Sequence, residues 1–136
     1  MNKNEVGRTG EDLAVAQLIT QGYVILDRNW RASRGKIRVS GERRNRGELD
    51  IVALDGECLV GLEVKTRTST AYGHPAEAFT PQKVARLKRL LGLWLAEHRN
   101  YRRHFTELRL DGIAILLGNN YSRIASPQII HYRGIS

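Results

Sequence analysis

The stretch that most limits what this chain can become is Gly47-Glu48-Leu49-Asp50-Ile51-Val52-Ala53-Leu54-Asp55-Gly56-Glu57-Cys58-Leu59-Val60-Gly61-Leu62-Glu63-Val64-Lys65. Two apolar runs flank an Asp-Gly pair, which supplies the positive φ angles that a two-residue hairpin turn needs. A turn on Asp55-Gly56 predicts that Leu54 faces Glu57, Val52 faces Leu59, Asp50 faces Gly61 and Glu48 faces Glu63. Side chains alternate along a strand. Glu48, Asp50, Glu63 and Lys65 therefore share one side of the hairpin. Leu49, Ile51, Val60, Leu62 and Val64 share the other and read as core.

Three carboxylates beside one lysine need an explanation. Like charges facing one another destabilise a sheet, and two carboxylates about 5 Å apart repel by roughly 3 kcal/mol at an effective dielectric near 20. A raised pKa, a cationic neighbour or a divalent metal relieves that repulsion. Lys65 offsets one charge only. A hard-oxygen set of this kind suits Mg²⁺ or Mn²⁺, and the lysine suits a negatively charged substrate or an activated water. The bland alternative is an exposed sheet face whose charges are solvated.

The chain of 136 residues fits one α/β domain spanning residues 1–136, long enough to bury a single core. A net charge of +8 favours polyanionic partners, nucleic acid first, although ribosome association would give the same balance. No apolar run spans a bilayer and no signal-peptide core is evident, so a cytoplasmic protein is expected. The single cysteine, Cys58, excludes an internal disulfide and reads as a small core residue.

Glu5 to Gln21 reads as a first helix with an apolar side of Val6, Leu13, Ala14, Ala16, Leu18 and Ile19, stopped by Gly22. Glu11 lies on the stripe of Ala14, Val15 and Leu18, so it faces the core or its rim. It pairs there with an arginine or joins the hairpin carboxylates. Tyr23 to Trp30 reads as a strand with Tyr23, Ile25 and Asp27 on one face and Val24 and Leu26 on the other.

The segment 31–46 holds Arg31, Arg34, Arg43, Arg44 and Arg46 among Gly and Ser, which predicts a basic loop or arm that contacts phosphates. Thr66 to His74 is a polar loop, with His74 either a ligand contact or a surface residue. Thr80-Pro81 opens what reads as the longest helix, with Val84, Leu87, Leu90, Leu91, Trp94 and Leu95 inward and Lys83, Arg86, Lys88 and Arg89 outward. His98 to His104 is a second basic loop. Strands over 107–117 and 123–132 follow, separated by the turn residues Gly118-Asn119-Asn120. The order helix, strand, hairpin, helix, strand, strand predicts a mixed sheet flanked by helices, with the acidic hairpin near its centre.

An Asp followed by Glu-x-Lys on the adjacent strand resembles the signature of the restriction-endonuclease-like, PD-(D/E)XK, nuclease fold. A longer series is similar to the YraN-like bacterial family, uncharacterised protein family 0102, related to Holliday junction resolvases. It comprises Gly7-Arg-Thr-Gly-Glu11, Gly22-Tyr23, Arg28-Asn29-Trp30-Arg31, Gly47-Glu-Leu-Asp-Ile-Val-Ala53, Glu63-Val-Lys-Thr-Arg67, Tyr72-Gly73 with Pro75, Lys83 and Arg109-Leu-Asp111. Two departures stand out: the insertion within Ala32 to Arg46, and Gly61-Leu62 where an aromatic or branched residue usually precedes the Glu-x-Lys run.

The resemblance implies metal-dependent hydrolysis of phosphodiester bonds in DNA, branched or junction DNA included. Asp50 and Glu63, with the Val64 carbonyl, would hold Mg²⁺ or Mn²⁺. Lys65 would orient or help deprotonate water, and Glu11 would complete the acidic group. Glu48 and Asp111 would support it, while Arg67, Lys83 and the basic loops would hold phosphates. A homodimer is implied only by analogy with relatives that cut symmetric junctions. Two other classes fit the same residues: a nucleic-acid-binding protein without cleavage activity, and an RNA- or ribosome-associated factor.

Overall fold

A computed structural model describes residues 1–32, 47–118 and 126–136. Helix α1 runs Lys3–Thr20, strand β1 Val24–Trp30, β2 Leu49–Asp55, β3 Cys58–Arg67, helix α2 Pro81–Glu97, β4 Glu107–Leu116 and β5 Gln128–Tyr132. The strands form one sheet in the order β1-β2-β3-β4-β5, parallel between β3 and β4 and antiparallel elsewhere. This is the mixed, helix-flanked α/β arrangement expected, with β3 at its centre. Among the described residues no helix is long and apolar enough to cross a membrane.

Both faces of the sheet are buried. On one, Ala14 and Leu18 of α1 pack with Tyr23, Ile51, Val60, Leu62 and Ile113. On the other, Leu87, Leu90, Leu91 and Trp94 of α2 pack on Leu49, Val52, Leu59 and Leu110. The hairpin thus has no solvated face over most of its length. Leu49, expected beside Ile51, belongs to the α2 side. Each fully buried Leu or Ile contributes about 1.5–3 kcal/mol relative to exposure, so β3 is anchored from above and below.

Several local expectations shift. The hairpin pairs Leu54 with Leu59, Asp55 with Cys58 and Val52 with Gly61, a register two residues from the one expected. Gly56 has φ +60° while Glu57 does not enter the positive region, so the loop is Gly56-Glu57 with positive φ at its first position only, as in a type II′ turn. Asp55 is held in the strand because its Oδ2 accepts a hydrogen bond from Arg109 at 3.0 Å. An even shift preserves which side each residue faces.

Asp27 also moves. A bulge between Ile25 and Asp27 turns it to the α2 side, where Oδ2 accepts from Trp94 Nε1 at 2.9 Å. In α1 the buried stripe is Gly10, Ala14 and Leu18, whereas Ala16 and Ile19 are exposed because they lie off that row. At 18 residues α1 is one longer than α2, which starts at Pro81 with Thr80 as its cap, as expected. Thr66 and Arg67, read as loop, extend β3, paired with Ile115 and Leu116. His74 caps the 3₁₀ turn Pro75–Ala78, its Nδ1 accepting from the Ala76 amide. The basic run after α2 is a 3₁₀ turn, Arg99–His104. Strand β5 begins at Gln128; the expected start at 123 and the turn residues Asn119 and Asn120 lie outside the described residues.

Candidate metal and phosphate site

The helical period puts Glu11 one turn before Ala14 on the face of α1 that meets the sheet, so burying Ala14 and Leu18 carries Glu11 inward. Gly10 lets the helix come close: a β-carbon there would overlap the Thr66 hydroxyl and lie 2.7 Å from Thr66 Cβ. Glu11 thereby meets the start of β2. Carboxylate oxygens of Glu11, Glu48 and Asp50 all lie within 4.8 Å of one another. Of the sequence-predicted acids, these are the three brought into one trio; Glu63 stands beside it on β3.

The electrostatics follow from this crowding. Burial, then the Glu63 charge, push Asp50 up to about 8, although Asp50 Oδ2 accepts a 2.8 Å hydrogen bond from the Val64 amide. Burial also raises Glu63, opposed by Lys83 and Lys65. Glu63 Oε1 lies 3.7 Å from Lys83 Nζ. Glu11 is raised, chiefly by burial, against the pull of Arg28. Its side chain is 16% exposed, with Oε1 buried and without a hydrogen-bond partner. Arg28 reaches that oxygen only at 4.0 Å and instead bonds Asp12 at 2.8 Å. Glu48 is paired with Arg31 at 3.0 Å.

Lys65, two residues after Glu63, has its ammonium disfavoured by burial and by the like charges of Lys83 and Arg67, while Glu63 favours it. Asp50, Glu63 and Lys65 are therefore gathered at one end of the β2–β3 hairpin. The cluster borders two hollows. A cleft of about 150 Å³ on the α2 side is lined by Glu48, Asp50, Glu63, Lys83 and Arg86. A groove of about 550 Å³ on the α1 side is lined by Glu11, Lys65 and Arg67 among others.

The donor set fits a hard divalent cation. It is all oxygen, crowded with negative charge, and includes a buried carboxylate oxygen that nothing in the described structure satisfies.

Other expected members fall elsewhere. Asp111 is fully buried in a separate network. Its carboxylate accepts from Arg109 at 2.8 and 3.0 Å and from the Gly134 amide at 2.9 Å, and lies 2.8 Å from His131 Nε2. Arg109 also binds Asp55 and Tyr23. Burial would raise Asp111, but the hydrogen bonds from His131, Arg109 and Gly134 hold it below the usual carboxylate range. Asp111 ties the sheet together there and does not reach the acidic trio through any of these bonds. Arg34, Arg43, Arg44 and Arg46 lie outside the described residues.

The sequence reading gave no role to Asn29, which carries a positive φ of 52° beside the cluster and influences Glu11 by hydrogen bonding. Asn adopts this conformation more readily than most residues. Strained backbone of this kind is concentrated at functional sites, and the Arg28-Asn29-Trp30-Arg31 run was the available signal.

A family model described as uncharacterised protein family UPF0102 matches residues 10–115. The chain is 42% identical over 133 residues to a UPF0102 protein of Beutenbergia cavernae, covering 98% of this chain and 97% of that one. It is 44% identical over 133 residues to one of Leifsonia xyli subsp. xyli, with the same coverage. A Mycolicibacterium vanbaalenii relative is 38% identical over 135 residues, 99% of this chain and 96% of its own. The matched span takes in Glu11, Glu48, Asp50, Glu63 and Lys65.

Proposed function

The chain belongs to the uncharacterised protein family UPF0102, and from its geometry we propose that it is a metal-dependent nuclease hydrolysing phosphodiester bonds in DNA. The observation that carries this reading is the convergence of Glu11, Glu48 and Asp50 oxygens within 4.8 Å, with Glu63 and Lys65 on the neighbouring strand. The arrangement is in keeping with a restriction-endonuclease-like site.

Asp50, with Glu11, Glu48 and Glu63 around it, would hold Mg²⁺ or Mn²⁺. Such an ion supplies charge neutralisation at the scissile phosphate and activates water. The protein's own groups do the rest. The Val64 amide fixes the Asp50 carboxylate through Oδ2. Lys65 Nζ orients the attacking water and offsets charge on the phosphoryl oxygens, a role suited to a lysine whose ammonium is disfavoured by burial. Water forms the new bond to phosphorus, and the bond to the departing oxygen of the strand breaks. Arg67, Lys83, Arg86 and exposed Arg31 contribute phosphate contacts, which give affinity without base reading.

The test is cleavage of labelled duplex, junction and single-stranded DNA with Mg²⁺ or Mn²⁺, in parallel with binding. Cleavage that requires the cation and disappears in Asp50→Ala and Lys65→Ala, with binding retained, supports the reading. Binding by the wild type without cleavage of any substrate would make it a binding module instead.

A further inference from the structure

The groove on the α1 side runs from the acidic cluster past Arg67 to residues that the proposed hydrolysis does not use, Lys3, Gly7 and Tyr72 among them. One wall is the first two turns of α1, including Lys3 and Gly7; the other is the end of β3 and the loop after it, with Arg67, Ser69 and Tyr72. Glu11 and Lys65 are shared with the cluster. A space of about 550 Å³ is in the range that holds a small organic group.

Three features define what it takes. Lys3, Lys65 and Arg67 make its floor and walls cationic, so its partner is an anion. The Arg67 Nε is buried and has no hydrogen-bond partner, so among the described residues no acid neutralises the guanidinium there and an anion in the groove would supply the missing charge. Tyr72 is 90% exposed, an unusual position for a large ring. An exposed ring beside paired cations is the arrangement that holds a nucleic-acid strand by its phosphates while stacking one of its bases. In a duplex the base faces are already stacked on one another and cannot meet a flat ring on the protein. In a single strand they are free.

We propose that this groove binds single-stranded nucleic acid, Arg67 and Lys3 on its phosphates and Tyr72 against a base, and leads the strand to the acidic cluster. The inference rests on the nuclease reading for what happens at the cluster, but the binding it describes does not. It selects an unpaired end, flap or gap over continuous duplex.

The experiment is fluorescence anisotropy without divalent metal, using labelled single-stranded DNA, single-stranded RNA and a blunt duplex of equal length. The proteins are the wild type, Tyr72→Ala and Gly7→Phe. A β-carbon at Gly7 meets nothing within 4 Å. Phenylalanine there enters the open space, and helix propensity does not oppose replacing a helical glycine. The wild type is expected to bind the single strand at least tenfold more tightly than the duplex. Tyr72→Ala and Gly7→Phe should each remove about tenfold of single-strand affinity, in line with the loss of one stacked base, with duplex affinity unchanged. RNA and DNA binding equally would mean that the groove reads the strand and not the sugar, and the proposal holds.

Equal wild-type affinity for strand and duplex overturns it, as does single-strand affinity unaltered in both Tyr72→Ala and Gly7→Phe. Cleavage measured separately with Mg²⁺ keeps the two readings apart. Strand preference without cleavage leaves the groove and removes the nuclease. Cleavage with an indifferent Tyr72 and Gly7 does the reverse.

Discussion

Gly10 on α1 and Thr66 on β3 are so close that a β-carbon on the glycine would overlap the threonine hydroxyl. This contact sets the depth at which α1 rests on the sheet, and with it the reach of Glu11 towards Asp50. At Gly7, one turn earlier on the same helix, a β-carbon would be in open space.

Gly10→Ala therefore has two opposed effects. Helix propensity favours alanine by up to about 1 kcal/mol, and overpacking against the strand costs about 1–3 kcal/mol. The net expectation is destabilisation, seen as a lower urea midpoint with an unchanged slope. Activity should fall further than stability explains, because the helix must withdraw Glu11 as it backs off. Cleavage at full folding, well below the urea transition, checks that second part.

Removal of divalent metal should make stability depend on the charge of Asp50. Its folded pKa of about 8 lies above the ordinary 3.8, so the native state binds more protons than the unfolded chain between those values. Stability contributed by this group is then greatest below about pH 4 and declines as pH rises towards 8. In EDTA, Asp50→Asn should melt several degrees above wild type at pH 8 and lose that advantage near pH 4. Adding Mg²⁺ at pH 8 should raise the wild-type midpoint by mass action, about 2.7 kcal/mol at a hundredfold excess over Kd, and leave Asp50→Asn nearly unmoved. Calorimetric scans at the two pH values, with and without Mg²⁺, measure all four quantities.

The hairpin was legible in the sequence because its two signals are local: an Asp-Gly pair that tolerates positive φ, and an apolar run on either side. Its register was not, since the choice between turns depends on Arg109 gripping Asp55 from a strand more than fifty residues away. The carboxylates still appear on one side because a slip of two changes partners and not faces. Glu11 was likewise visible from helical spacing, whereas its grouping with Glu48 in preference to Glu63 depends on how closely α1 docks. The expectation for Asp27 failed at a bulge, which pattern reading passes over. Asp111 could be read as an acid two residues from Arg109, but nothing in the sequence placed His131 and the Gly134 amide around it.

Asp111→Ala is expected to cost about 1–3 kcal/mol, because Arg109 is left with Asp55 alone and the buried groups at His131 Nε2 and the Gly134 amide lose their carboxylate partner. The folded pKa of Asp111 is below its ordinary value. Its stabilising contribution is thus present above about pH 4 and fades as acid titrates the folded carboxyl. Acid unfolding of wild type and variant should converge at low pH. A variant as stable as wild type at pH 7 would show that the network is dispensable.

Lys65→Met should reduce the cleavage rate by about 10²–10⁴-fold, the range for loss of a positioned acid–base group, with DNA affinity within a few-fold of wild type. Single-turnover rates at saturating protein isolate the effect on chemistry. A uniform loss of binding would assign Lys65 to phosphate contact alone.

If about five phosphates are engaged, log K should fall with log salt at a slope near −4.5, and removing Lys83 or Arg86 should each flatten it by about 0.9. Titrations between low and moderate potassium chloride give the slope. A flat response would remove nucleic acid from consideration.

Strand β3 has neighbours on both edges and a helical layer on each face, yet its last residues emerge at the acidic cluster and carry Glu63, Lys65 and Arg67. Those side chains stand on a beam clamped along most of its length, so they have little freedom to drift one at a time. Amide hydrogens of the clamped portion should be the last to exchange with solvent. A substitution that loosens the far end of the beam could then blunt the chemistry without touching any group that performs it.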